Sequence, residues 1–121
     1  MDKKIEYRNY VDDILEKLNS INPKIVIVFG SYANNDLTED SDLDLLIVLD
    51  DNRIPKSYDE KLEMKLKIRK IIREINREIA IDLLVYTIPE YEEFIKSSSS
   101  FSKEIKENGK IIYEKTSKAM A

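Results

Sequence analysis

The sequence predicts an α/β (α+β) fold: a small mixed β-sheet whose first two strands are antiparallel, flanked by helices. Three observations lead there. Two apolar runs, Ile25-Val26-Ile27-Val28-Phe29 and Leu45-Leu46-Ile47-Val48-Leu49, are short and apolar on both faces, the mark of central strands covered by other elements. Longer segments before and after them repeat apolar residues at three- and four-residue steps, the helical period. The first run stops at Gly30-Ser31, and Asp42 and Asp44 stand at the head of the second. For Gly30-Ser31 to face those aspartates, the end of one strand must lie beside the start of the next, which in neighbours means an antiparallel pair.

Taken in order, Ile5–Ile21 reads as the first helix, with Tyr7, Tyr10, Val11, Ile14, Leu15 and Leu18 as its core stripe and Asn22-Pro23 as its stop. Lys24–Phe29 is the first strand and Leu43–Leu49 the second. The ten residues between Ser31 and Asp42 suffice for a turn of helix and a loop. Asp50-Asp51-Asn52 and Pro55 form an exit loop. Tyr58–Glu78 is predicted as the longest helix, with Leu62, Leu66, Ile68, Ile72, Ile75 and Ile79 on its apolar stripe and Met64 and Ile71 at the edge. Its other side carries Lys61, Lys65, Lys67, Arg69, Lys70, Arg73 and Arg77, interleaved with Glu60, Glu63, Glu74 and Glu78. That pattern reads as a solvated face laced with ion pairs, not as a nucleic-acid surface. Ile79–Tyr86 is the third strand, interrupted by Asp82. Pro89 starts a short helix over Glu90–Ile95. Ser97–Ser100 is a loop and cap, Phe101–Asn108 a helix stopped by Gly109, and Lys110–Tyr113 a short edge strand. The tail from Glu114 is expected to fray.

A chain of 121 residues without a long composition break is expected to form one domain, 1–121. Hydrophobic residues make up 42% and charged residues 36%, a globular balance. No apolar run approaches membrane-spanning length, and the start MDKKIEYRNY lacks the apolar centre of a signal peptide. The absence of Cys fits a cytoplasmic setting. With neither Cys nor His, the usual zinc sites and Cys or His nucleophile chemistry are excluded. Any catalysis must use carboxylates, hydroxyls, Lys or metals.

Charge is unevenly distributed. Ile25–Asn52 holds seven acids (Asp36, Glu39, Asp40, Asp42, Asp44, Asp50 and Asp51) and no Lys or Arg, whereas the whole chain has 24 acids and 20 bases. Crowded carboxylates resist ionising unless a cation joins them, and hard oxygen donors suit magnesium or manganese. Residues i and i+2 of a strand point to one side, roughly 6.6 Å apart. Asp42 and Asp44 therefore address one space, as a pair of metals about 3.5–4 Å apart would require. The plain alternative is a polar turn whose aspartates cap amides. Gly30 permits close backbone approach, and Ser31 can cap a helix and leave amides for phosphate. Asp82 is a single acid in an apolar strand, expensive if buried without a partner.

Gly30-Ser31, ten residues, then Asp42-x-Asp44 resembles the G-S-x10-D-x-D signature of the DNA polymerase β-like nucleotidyltransferase superfamily. The flanking strands and the small size resemble its minimal nucleotidyltransferase (MNT) branch, the MntA-like antitoxins paired with HEPN proteins. The resemblance covers Ile25 to Tyr86 at least. It implies a nucleotidyltransferase fold, ATP as substrate, Mg2+ or Mn2+ as cofactor and release of pyrophosphate. It implies that Asp42 and Asp44 bind metal, that Asp82 is the third carboxylate, as metal ligand, as base for the acceptor hydroxyl, or both, and that Gly30 and Ser31 bind nucleotide phosphate. It further implies a HEPN toxin as partner in a hetero-oligomer, silenced by AMP transfer to a tyrosine hydroxyl. Two rivals stand beside this expectation: an antitoxin that neutralises by occlusion with its site idle, and a small-molecule nucleotidyltransferase completed by a helical partner subunit.

Overall fold

The structure is a computed structural model in which residues 3–34, 37–38 and 41–115 are described. The order of elements is α1 (Lys3–Leu18), β1 (Ile25–Phe29), α2 (Ser31–Asn34), β2 (Leu43–Val48), α3 (Tyr58–Ile71), α4 (Arg73–Glu78), β3 (Ile81–Tyr86), α5 (Ile88–Lys96), α6 (Ser100–Asn108) and β4 (Lys110–Glu114). A 3-10 turn, Asn19–Ile21, closes α1, and Asn22 takes a left-handed φ of 46° before Pro23.

The sheet has four strands in the order β3-β2-β1-β4. β1 pairs antiparallel with β2 and with β4, and β2 pairs parallel with β3, so the sheet is mixed as the sequence predicts. Its two faces carry two cores. Val26, Val28, Leu43, Leu45, Ile47, Leu83 and Val85 pack beneath α1, α3 and α4. Ile25, Ile27, Phe29, Leu46 and Val48 pack beneath α5 and α6. Every residue of β1 is buried, which explains its unbroken apolar run. From α1, Tyr7, Val11, Ile14 and Leu18 enter the core at helical spacing.

Several boundaries differ from expectation. The helix expected over Tyr58–Glu78 divides at Ile72 (φ −100°, ψ 15°), so α1 is the longest helix. No Gly or Pro marks the break; the bend lets α3 and α4 both stay against α1. The buried stripe is Met64, Ile68, Ile72, Ile75 and Ile79, whereas Leu66 is 53% exposed. β3 begins at Ile81, where Asn76 Oδ1 accepts from the Ile81 amide. Gly109 ends α6 in an extended conformation and not a left-handed one. Tight packing explains the glycine: an added Cβ would lie 2.6 Å from the Ile105 carbonyl oxygen and 3.1 Å from Ile27 Cγ2. Glu114 does not fray; it ends β4, opposite Ile25. The remainder of the expected frayed tail, 116–121, lies outside the described residues.

The helix starts agree with their capping chemistry. Ser57 Oγ accepts from the Glu60 amide, and Ser99 Oγ from the Ser102 amide. Thr87 and Glu90 form a capping box with Pro89 in the first turn of α5. Glu90 is also ion-paired to Lys61 of α3.

The corrected stripe can be measured. Ile68→Ala should cost about 2–5 kcal/mol, as deletion of a buried branched side chain does. Leu66→Ala should cost less than about 0.5 kcal/mol, the range of exposed sites. Equal losses in thermal or urea unfolding would contradict the observed face of α3.

Candidate active site

β1 ends at Phe29, and the chain turns at Gly30 into α2. Gly30 has a φ of +72°, which favours glycine. Its surroundings add a second reason. An added Cβ would collide with Asp44 Oδ2 and lie 3.1 Å from Asp44 Cγ. The Gly30 carbonyl accepts from the Asn34 amide at 3.0 Å, opening α2, so the amides from Ser31 to Ala33 precede the first intrahelical bond. Ser31 is the first residue of α2 and is half-buried.

The aspartates are brought to the same end of the sheet by strand pairing. In the antiparallel register Phe29 faces Asp44, and in the parallel register Asp44 faces Asp82. Asp42 stands one residue before β2 and is exposed. Alternation puts Asp44 on the face of Leu46 and Val48, and Asp82 on the face of Leu84 and Tyr86, the side covered by α5 and α6. Asp82 is exposed, so the cost of burying a lone carboxylate does not arise: β3 is an edge strand whose head meets solvent. All five candidates, Gly30, Ser31, Asp42, Asp44 and Asp82, thus lie at one end of the sheet.

Their electrostatics follow from that crowding. The Asp44 carboxyl is pushed up from 3.8 to about 6, first by burial, then by the charge of Asp82, then by that of Asp42. Such a site gains from an added cation. The donors are all carboxylate oxygens, which fit a hard divalent ion. Among the described residues no three acidic side chains converge as a finished ligand set. Magnesium commonly needs only one or two carboxylates and takes its other ligands from substrate phosphates and water. The residues therefore fit the metal the resemblance implies.

Two supports escaped the sequence reading. The buried Tyr7, read only as core, donates from its hydroxyl to the Ser41 carbonyl at 2.6 Å, one residue before Asp42. Its ring stacks on Tyr32 of α2 with centroids 6.4 Å apart. One side chain thus steadies both the Gly30 turn and the approach to Asp42. Asn34, at the end of α2, donates to Glu104 Oε2 of α6 at 3.4 Å. A tyrosine on an apolar helical stripe gives no signal in sequence that its hydroxyl reaches a distant loop.

With this geometry in place, the comparisons with known proteins can be stated. The chain belongs to the nucleotidyltransferase domain family, whose model matches residues 10–112. It is a nucleotidyltransferase. Two similar proteins from Methanocaldococcus jannaschii are named as candidate protein adenylyltransferases. One is 34% identical over 92 residues, covering 74% of this chain and 78% of that protein. The other is 44% identical over 41 residues, and the match spans 34% of this chain and only 40% of that relative's length. Among solved structures, a candidate nucleotidyltransferase from Sulfolobus solfataricus superposes with a TM-score of 0.59 at 18% identity, over 92% of this chain and 83% of that one. A toxin–antitoxin complex with AMP-PNP gives 0.53 at 15% identity, over 86% and 73% of the two chains. A variant MntA-HpeT toxin–antitoxin complex with two aspartates changed to glutamate gives 0.51 at 13%, over 86% and 72%. At these identities the likeness to the solved structures is one of fold.

Two outcomes test the site. A carboxyl whose pKa is raised in the folded state supports folding fully below its unfolded pKa of 3.8, and that support is lost as pH rises through about 6. In metal-free buffer, Asp44→Asn should therefore be more stable than wild type at pH 7.5 and nearly equal at pH 3.5. The gain should be about 1 kcal/mol once solvent screening at this half-buried position is allowed for. Thermal unfolding at both pH values reads the difference, and a variant that gains nothing at pH 7.5 contradicts the crowding. Gly30→Ala should lose at least about 1 kcal/mol through positive φ alone and more from the collision with Asp44, read as a lower midpoint in thermal unfolding.

Proposed function

We propose that this nucleotidyltransferase moves AMP from ATP to a tyrosine hydroxyl of a partner HEPN toxin and so acts as its antitoxin. The observation that carries the reading is the meeting of Asp44 with Gly30 on one side and Asp82 on the other. It is supported by the similarity over most of the chain to a candidate protein adenylyltransferase. Residues 1–121 are taken as one minimal catalytic unit that works in the cytoplasm, where ATP and its metal are at hand. No helix among the described residues is long and apolar enough to cross a membrane.

In this reading Asp42 and Asp44 would hold a divalent cation, Mg2+ or Mn2+, which would supply charge neutralisation at the triphosphate. Gly30 lets the backbone approach the phosphates, since no side chain fills the space beside Asp44. The Ser31 hydroxyl and the first amides of α2 donate to phosphate oxygens. The acceptor oxygen attacks the α-phosphorus, its proton passes to the Asp82 carboxylate, and the bond to the bridging oxygen breaks to release pyrophosphate. An exposed Asp82 suits contact with a macromolecular acceptor. Positioning and electrostatics supply most of the rate.

The test joins two measurements. ATP titrated calorimetrically with magnesium should bind wild type and lose most of its affinity in the Asp42→Asn/Asp44→Asn double variant. Incubation of the HEPN protein with the enzyme, ATP and magnesium should add the mass of one AMP to a tyrosine. No added mass, together with a double variant that still neutralises the toxin, would replace transfer by occlusion. AMP found on a sugar or antibiotic hydroxyl instead would turn the reading to a small-molecule acceptor.

A further inference from the structure

The helix α3 carries two apolar stripes. One, Met64, Ile68 and Ile72, is buried. The other, Tyr58, Leu62 and Leu66, recurs at four-residue steps and lies largely open among the described residues: Tyr58 is 76% exposed, Leu66 53%, and Leu62 half-buried. Beside it runs the outer edge of β3, which has no strand partner on that side among the described residues. The Ala80 and Tyr86 carbonyls accept from amides at the two ends of β2. By strand alternation, the amides and carbonyls of Leu83 and Val85 therefore point outward. Between the helix and this edge lies a cavity of about 230 Å3 lined by Tyr58, Leu62, Leu84 and Tyr86 and rimmed by Lys61 and Lys65. Tyr86 also lines the adjoining hollow with Phe94 and the exposed Ile54. Two exposed apolar side chains, Ile54 and Tyr58, thus line adjoining hollows that meet at Tyr86, and the exposed Leu66 continues the stripe of Tyr58 and Leu62 one turn further along α3.

We infer that this surface docks the acceptor protein, which lays an extended apolar segment flanked by acidic side chains along the open edge of β3. The inference rests on the transfer reading above and adds where the acceptor sits. Charge selects this occupant. Lys65 has no ion pair among the described residues, and Lys61, paired to Glu90, stands 4.9 Å from the centroid of the Tyr86 ring. Two copies joined edge to edge through β3 would set two lysine rims against each other, which disfavours self-pairing. Position selects it as well. Asp82 is exposed on the same strand, two residues from Leu84. A strand added to β3 would run about 4.8 Å away and pass beside that carboxylate, bringing a hydroxyl side chain within its reach. Main-chain pairing would supply affinity, and the apolar stripe with its lysines would supply specificity.

The experiment uses the full chain and the HEPN protein as probe. Leu66→Glu and Tyr58→Ala/Lys65→Glu change two exposed positions and one half-buried lysine at the surface, all away from the aspartates, so folding and magnesium-dependent ATP binding should stay as in wild type. Each should weaken HEPN binding by about tenfold or more, the effect of losing an interface anchor, and should raise KM for the acceptor with little change in kcat. The Lys65 variant should also flatten the salt dependence of binding. Unchanged binding and KM in both variants overturn the surface even if AMP transfer proceeds. Weakened binding in the variants, with no AMP transferred by wild type, leaves the surface standing and removes the transfer reading. Failure of the wild-type chain to bind the HEPN protein, or a wild-type self-association abolished by Leu66→Glu in sedimentation, overturns the proposed occupant.

Discussion

The antiparallel pairing of β1 with β2 is the constraint on which the rest of the molecule depends. Its register sets Phe29 opposite Asp44. The next residue, Gly30, then has to turn the chain within contact of a carboxylate, with a φ that few residues other than glycine adopt. A one-residue slip would exchange the two faces of β2 and send Asp44 into the core beneath α1. The buried runs on both strands forbid that slip, because each face has its own apolar partners. The hydrophobic effect thus fixes the position of a charged group it never touches directly.

The same arrangement puts strain where the chemistry belongs. Asp44 is half-buried, adjoins Asp82 and shares its strand end with Asp42, and its carboxyl resists ionisation in consequence. Several other charges are paired. Glu90 caps α5 and neutralises Lys61, Lys115 of the last described stretch pairs with Asp50, and Arg53 with Asp51. At the head of β2 and β3 the Asp44 carboxyl is raised beside Asp82 and Asp42, and perturbed carboxyls of this kind gather at functional sites.

Much of this was legible in the sequence, and particular residues show why the rest was not. Strand apolarity on both faces revealed β1 and β2, and Gly30-Ser31 with Asp42-x-Asp44 revealed how they must pair. The proline at position 89 and the serine run Ser97–Ser100 marked the starts of α5 and α6 through local chemistry. The break at Ile72 was invisible because no residue there is a poor helix former. Leu66 was misplaced because lysines and leucines alternate along α3 closely enough to support two stripes. Whether Asp82 is buried or solvated stayed open, since sequence does not say which strand of a sheet stands at the edge. Tyr7 shows the same limit for side chains: its ring belongs to a stripe that sequence reveals, but its hydroxyl belongs to a loop more than thirty residues away.

The topology also bears on how the molecule assembles itself. β1 and β2 meet across a short connection, so their pairing closes a small loop and can form early. β3 lies parallel to β2 and joins it only after the chain between Val48 and Ile81 has been laid down as α3 and α4. Asp44 and Asp82 are therefore strangers until a late docking event, and their mutual repulsion opposes that event alone. An ion that quenches this repulsion would act as a latch on β3, linking the maturation of the fold to the presence of the same counter-charge that its chemistry requires.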